Sequence, residues 1–181
     1  MKRLLIMTVG KTHTGKTTFA KALENDMQNS VVIDQDNHAE FLDMHYQPLL
    51  PKQGPNTIKY ALTQTIVDYA VNETNCHLIL CNSNRNHKDR LKHLERYHNE
   101  GFTTILVYFN ISVPVLKDRV AKSQRSTTVL RTASTFMEVL NRQLNETVIA
   151  QKEGEADHLF IIQNAEEVQS VIRKVIDISS G

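Results

Sequence analysis

Residues 10–18 read Gly10-Lys11-Thr12-His13-Thr14-Gly15-Lys16-Thr17-Thr18 (GKTHTGKTT), and Gly10–Thr17 fit the pattern G-x-x-x-x-G-K-[ST]. Chemistry explains the spacing. Backbone N–H groups of Thr14, Gly15, Lys16 and Thr17 can turn toward phosphate oxygens at the start of a helix. Gly10 and Gly15 allow dihedrals and a close approach that a side chain would block. Lys16 reaches the β and γ phosphates of a nucleoside triphosphate, and the Thr17 hydroxyl can ligate Mg²⁺. Gly10, Thr14, Gly15, Lys16, Thr17 and Thr18 are therefore the candidate nucleotide-binding residues. Lys11 and His13 fall at variable positions of the pattern and read as exposed loop residues. The plain alternative is a glycine turn between a strand and a helix.

The flanks agree with a phosphate loop. Leu4–Val9 is a short apolar run, the signature of a buried strand. Lys16–Met27 puts Phe19, Ala20, Leu23 and Met27 on one helical face. Downstream the alternation repeats. Strands are expected at Val31–Ile33, His77–Cys81, Thr103–Phe109 and Leu159–Ile162. Weak helicity at Asn37–His45 precedes a loop at Gln47–Asn56, which holds three of the four prolines. Ile58, Leu62, Thr65, Ile66 and Tyr69 recur at helical spacing. His87–Glu100 is a charged amphipathic helix that Gly101 stops. Pro114–Lys122, Ala133–Ala150 and Glu166–Ile178 read as further helices, with a polar stretch at Gln124–Thr128. Five strands alternating with helices imply an α/β fold, a parallel sheet covered on both faces. No repeat, low-complexity tract or linker divides the chain, so residues 1–181 are expected to form one domain.

Bulk composition narrows the function. The chain has 181 residues, 40% hydrophobic and 23% charged, with a formal net charge of +1. Such a balance gives no global basic field of the kind a nucleic-acid binder carries. The two cysteines, Cys76 and Cys81, lack zinc-site spacing and suggest free thiols in a reducing compartment. MKRLLIMTVGKT superficially resembles a signal peptide, but its apolar run is short and leads straight into the glycine loop. No apolar stretch is long enough to span a membrane. A soluble, cytoplasmic protein is expected.

Two carboxylates follow the second strand in VVIDQDNH. Ligands bind beyond the carboxyl ends of strands in open α/β sheets, and residues two apart on extended chain point the same way. Asp34 and Asp36 could thus both face the phosphates, one orienting Mg²⁺ and the other accepting a proton from a hydroxyl. Alternatively, one of them caps the helix that begins near Asn37.

The third strand enters a polar turn, HLILCNSNRNHKDR. Phosphate-loop enzymes usually end this strand with an Asp that holds Mg²⁺ through water. Here it ends Leu80-Cys81-Asn82, and the next carboxylate is Asp89. With Ser83-Asn84, Asn86 and Arg90 in this turn and the Asp pair after strand two, the sequence resembles P-loop kinases similar to polynucleotide 5′-hydroxyl kinases. More broadly it is similar to small-molecule kinases such as shikimate and gluconate kinases. The resemblance covers most of the chain in order, although only the glycine loop is highly specific. It implies a nucleoside-monophosphate-kinase-like core of three layers with strand order 2-3-1-4-5. It also implies that Lys16 and Thr17 handle phosphate and Mg²⁺, and that Asp36, or else Asp34, is the general base; with no third-strand Asp, Asp34 is the candidate to hold Mg²⁺ beside Thr17. The family's third-strand Asp falls on Asn82, or on Cys81 if shifted by one, a departure that bears on Mg²⁺ handling. Asn84 would orient an acceptor or phosphate, or simply form the turn. Arg90 would pair on a helix surface or anchor the turn.

Kinases of this type place a basic lid after the fourth strand, here DRVAKSQRSTTVLR with the lid near 122–132. Arg119, Lys122, Arg125 and Arg131 are its cations. Arg125 is the first choice for the transferring phosphoryl group and Arg119 the second, while at least two of the four are solvated charges. The loop Gln163-Asn164-Ala165 after the last strand is expected beside the adenine, unless Asn164 serves only as a helix cap. By analogy of fold alone, Tyr46 and the Pro48–Pro55 loop touch the acceptor. His38 and His45 lack the four-residue spacing of a helical metal pair and read as ordinary polar residues.

These residues point to an ATP- and Mg²⁺-dependent kinase acting on a hydroxyl of a small molecule. A polynucleotide 5′-hydroxyl end is the alternative acceptor. An ATP-binding protein with little transferase activity is the alternative class, motivated by the missing third-strand Asp. A partner-driven NTPase ranks below both.

Overall fold

Among the described residues of the computed structural model, five parallel strands form one sheet: β1 (Leu4–Gly10), β2 (Ser30–Ile33), β3 (His77–Cys81), β4 (Thr103–Phe109) and β5 (His158–Ile162). Their order is β2-β3-β1-β4-β5, the order the kinase resemblance implied. The structure describes residues 2–127, 130, 133–146 and 154–180. The helices are α1 (Lys16–Asp26), α2 (Gln35–His45), α3 (Thr57–Glu73), α4 (His87–Asn99), α5 (Val113–Ala121), α6 (Phe136–Asn145) and α7 (Glu167–Ser180). None is long and apolar enough to cross a membrane.

The period-2 alternation of a strand sorts the central residues onto two faces. Leu4 and Ile6 point into a core shared with Phe19 and Leu23 of α1, Leu116 of α5, Leu140 of α6 and Val171 and Val175 of α7. Leu5, Met7 and Val9 point the other way, onto Val67 and Val71 of α3 and Leu94 and Tyr97 of α4. All seven β1 residues are buried, as expected for a central parallel strand.

Several boundaries differ from the sequence expectation for local reasons. Helix α2 begins at Gln35, because the Asp34 side chain accepts the Asp36 N–H and starts the helix. Asp36 therefore lies in the first helical turn rather than on extended chain. Helix α6 begins at Phe136, because Thr135 caps it through the Glu138 N–H. The expected end of that helix, 147–150, lies outside the described residues. On α3 the buried stripe is Thr63, Val67, Ala70 and Val71, and Tyr69 is exposed. The proline-rich segment carries one 3₁₀ turn, Gln47–Leu49.

The turn after β3 is held from within. Asn84 adopts a positive φ of 45°, and its side-chain amide donates to the Thr8 carbonyl. Arg90 of α4 is almost wholly buried and donates through Nη1 to the Asn84 carbonyl at 3.1 Å. Its Nε meets Glu155 Oε2 at 2.9 Å, and His87 Nε2 lies 3.0 Å from the same carboxylate. Arg90 thus anchors the turn, and Glu155 supplies the countercharge that makes its burial tolerable. Arg90→Met should lower stability by about 3 kcal/mol by removing the arginine's contacts to the buried Glu155 carboxylate and to the turn. Chemical denaturation checks this, and a loss within experimental error would contradict the assignment.

Candidate functional site

The cleft lies beyond the carboxyl ends of β1, β3 and β4 and measures about 830 Å³. Its floor is the glycine loop, where the chain leaves β1 and enters α1. Gly10 is fixed on both sides. Its N–H donates to the Ser83 carbonyl at 3.1 Å, and a Cβ there would meet Phe109 Cβ at 3.0 Å and Thr14 Oγ1 at 3.1 Å. Gly15, the residue before α1, needs φ 100°, a conformation that side chains disfavour.

Lys16 is turned inward. Its ammonium donates to the Gly10 carbonyl at 3.1 Å, the Lys11 carbonyl at 2.6 Å and Thr14 Oγ1 at 3.3 Å. These are neutral acceptors, so burial dominates and lowers the lysine pKa to about 8. Asp36 and Asp34 partly offset the shift, while Arg125 adds to it.

Thr17 Oγ1 donates to Asp34 Oδ2 at 3.2 Å. The other carboxylate oxygen of Asp34 is the α2 cap, so one side chain both starts the helix and faces the loop. Of the two residues at the end of β3, it is Cys81 that sits beside Thr17, with Sγ 3.6 Å from Oγ1. Asn82 instead accepts the Gln35 N–H through Oδ1 at 3.2 Å. Burial and the nearby Asp34 push the Cys81 thiol up to about 12, so a neutral thiol faces Thr17.

The other candidate residues converge on the same cleft. Arg119, on the last turn of α5, donates through Nη1 to the His13 and Thr14 carbonyls, both at 3.2 Å. Arg125 reaches across and pairs through Nη2 with Asp36 Oδ2 at 2.5 Å. Lys122 does not join them; it pairs with Asp118 on the exposed surface of α5. Arg131 lies outside the described residues. Asn164 lines the cleft beside Ala165, and its Oδ1 accepts the N–H groups of Glu166 and Glu167 at the start of α7. Phe109, Ile111, Ile162 and Val168 give this end an apolar wall. At the opposite end the lining is polar: Gln35, Asn37, Glu40, Lys59 and Tyr60. Tyr46 and residues 48–55 do not line the cleft, and the start of α3 takes the place expected of them.

Two loop residues read as exposed are partly buried instead. Lys11 packs near Arg85, and His13 lies between Thr12 Oγ1, Ser123 Oγ and the Phe136 ring. For His13 the reason is α6, which meets that side of the loop. Gln143 Oε1 of α6 accepts the Thr12 N–H at 2.7 Å, and Arg85 Nη2 donates to the Gln143 carbonyl at 2.7 Å. Contacts between residues so far apart in the chain leave no local signal. His38 is not idle either: Nδ1 lies 2.7 Å from Thr63 Oγ1 and ties α2 to α3.

The depressed Lys16 pKa predicts a pH effect on the ligand-free protein. Between about 8 and the ordinary 10.5 the unfolded chain binds more protons than the folded one. This contribution to stability is therefore fully present above pH 10.5 and lost as pH falls through about 8. The stability difference between wild type and Lys16→Met should shift toward wild type across that window, measured by denaturation at each pH. A flat difference would contradict the buried-ammonium account.

Comparison with known proteins places this geometry in a wider set. No curated protein sequence matches significantly. Solved structures match along the chain at low identity. A candidate kinase from Chloroflexus aurantiacus is 19% identical, with a TM-score of 0.64, and the match covers 99% of this chain and 98% of that one. Mycobacterium tuberculosis APS kinase, solved with AMPPNP and APS, is 13% identical with a TM-score of 0.60, covering 99% of both chains. Bacteroides thetaiotaomicron shikimate kinase is 16% identical with a TM-score of 0.57, covering 98% and 99%. At such identities the likeness establishes the fold. The AAA domain family model matches residues 5–146, which include the glycine loop, the carboxylates after β2 and the cations after β4, and the chain belongs to that family.

Proposed function

We propose that this chain is an ATP-dependent kinase that transfers the γ-phosphoryl group to a hydroxyl of a small-molecule acceptor. The Arg125–Asp36 contact carries the reading. It joins a cation suited to a transferring phosphate with a carboxylate suited to an acceptor hydroxyl, across the cleft from the Lys16 loop. In this reading residues 1–181 act as one catalytic unit, and the segment near 122–132 is its lid.

The roles follow from charge. Backbone N–H groups of the loop, with Thr14, Gly15 and Thr18, hold the triphosphate, and Gly10 allows the loop its close packing. Lys16, Arg119 and Arg125 oppose the negative charge on the phosphoryl oxygens. Asp36 accepts the proton of the acceptor hydroxyl as its oxygen bonds to the γ phosphorus. The bond from that phosphorus to the β,γ-bridging oxygen breaks, and ADP leaves. Asn164 and the apolar wall beside it would frame the adenine. The Thr17 hydroxyl and Asp34 carboxylate are hard oxygen donors in contact, a set that fits Mg²⁺, whereas the neutral Cys81 thiol does not. Mg²⁺, when bound, neutralises charge on the β and γ phosphates.

The mixed-charge polar end of the cleft and the net charge of +1 support a small acceptor over a polynucleotide end. Cys81 beside Thr17 favours a second reading, an ATP-binding protein with little transfer activity. One assay separates them: Mg-ATP is incubated with sugars, nucleosides, antibiotics and 5′-hydroxyl oligonucleotides. Acceptor-dependent ADP release that falls by about 10²-fold or more in Asp36→Asn supports the kinase. ATP binding without turnover on any acceptor overturns it. Cys81→Asp, by adding a hard donor beside Thr17, should lower the Mg²⁺ concentration needed for half-maximal nucleotide binding by about threefold or more. An unchanged requirement would contradict the placing of the cation there.

A further inference from the structure

His13 occupies one of the free positions of the glycine-loop pattern, where any residue suffices to complete the motif. The structure gives it more partners than a spacer needs. Its backbone takes φ 58°, a left-handed conformation uncommon outside glycine, asparagine and aspartate, though histidine also visits it. That conformation turns the imidazole away from the loop and toward the segment after α5. Nε2 lies 2.8 Å from Ser123 Oγ, and Nδ1 lies 2.9 Å from Thr12 Oγ1. The ring meets Phe136 edge-on, with centroids 4.9 Å apart.

Both neighbours of His13 lead to Arg125. Ser123 Oγ accepts the backbone N–H of Arg125 at 3.2 Å. The Phe136 ring lies beneath the Arg125 guanidinium, 5.2 Å from centroid to Cζ. One contact fixes the backbone of Arg125 and the other fixes its head group, and His13 supports both. Burial, with Arg125, Lys16 and Arg119 nearby, holds the imidazole pKa below its ordinary value. A neutral ring has one donor and one acceptor nitrogen, and the two hydroxyls can serve either tautomer.

We infer that His13 is a positioning residue for Arg125, linking the phosphate loop to the cation that faces the transferring phosphate through Ser123 on one side and Phe136 on the other. The inference rests on the phosphotransfer reading of the same cleft, since it is the nucleotide's γ phosphate that Arg125 would meet. It adds a specific consequence: a change at His13 alters nucleotide retention through Arg125.

The test is a double-mutant cycle read by the dissociation rate of methylanthraniloyl-ATP from the full chain with Mg²⁺. His13→Asn is the variant of choice, because asparagine tolerates the same backbone conformation but cannot reach Ser123 or pack on Phe136. His13→Asn and Arg125→Ala should each speed dissociation by about fivefold. The double variant should be no faster than Arg125→Ala alone, and Ser123→Ala should show part of the same effect and the same loss of additivity. A defect in the loop itself would act equally in both backgrounds, so additive effects of His13→Asn and Arg125→Ala overturn the inference, as does an unchanged rate in both His13→Asn and Ser123→Ala. If wild type fails to bind the labelled nucleotide, the phosphate-site reading falls and this inference falls with it.

Discussion

The site depends on a buried ammonium with no carboxylate directly on it among the described residues. Lys16 is held by the Gly10 and Lys11 carbonyls and by Thr14, all neutral, and its pKa is depressed accordingly. A cation in that position is under-compensated until an anion arrives. The loop that holds it is tied at Gly10, which is bonded to the turn after β3 and packed against β4. The fold therefore keeps an unmet demand for negative charge at one point. Arg119 on the loop carbonyls and Arg125 on Asp36 set two further cations on the same cleft, each resting on a local acceptor that, in the proposed function, a phosphate would replace.

From this follows a division of labour between the two faces of the sheet. The face covered by α1, α5, α6 and α7 carries the phosphate loop, Arg119 and the α6 brace on Thr12. Helix α2, joined to α3 by His38 and Thr63, brings Asp36 toward the polar end of the cleft. The turn after β3 runs between them and is immobilised by Arg90 and Glu155 beneath it. In the proposed function, phosphate handling and acceptor handling would sit on separate elements that meet at the Arg125–Asp36 pair. An exposed ion pair of that kind contributes little to stability, so it can open at small cost.

Much of this was legible in the chain because it is written locally. The glycine loop, its flanking strand and helix, and the strand-helix alternation are all short-range patterns, and they led to the observed sheet. What the sequence left open or misread had local or long-range physical causes. Asp34 caps α2, which draws Asp36 out of the extended chain on which the two-residue spacing argument relied. Cys81 and Asn82 compete for one position, and only the strand's alternation of faces decides that Cys81 meets Thr17 while Asn82 turns to Gln35. His13 looked exposed because nothing near it in sequence covers it; Phe136 of α6, more than a hundred residues later, packs against its ring. Glu155 and Gln143 carry no motif, and their importance lies wholly in what the fold brings beside them.

The central claim is that the phosphate gripped by residues 10–18 passes to a hydroxyl acceptor within the same cleft. The most direct test follows the atom itself. The protein is incubated with Mg-ATP radiolabelled at the γ phosphate and a small-molecule extract, and the products are separated by charge. The account predicts label in a phosphorylated organic acceptor, appearing only with the extract present. Label recovered solely as inorganic phosphate, or retained entirely in ATP while ATP is bound, would contradict it.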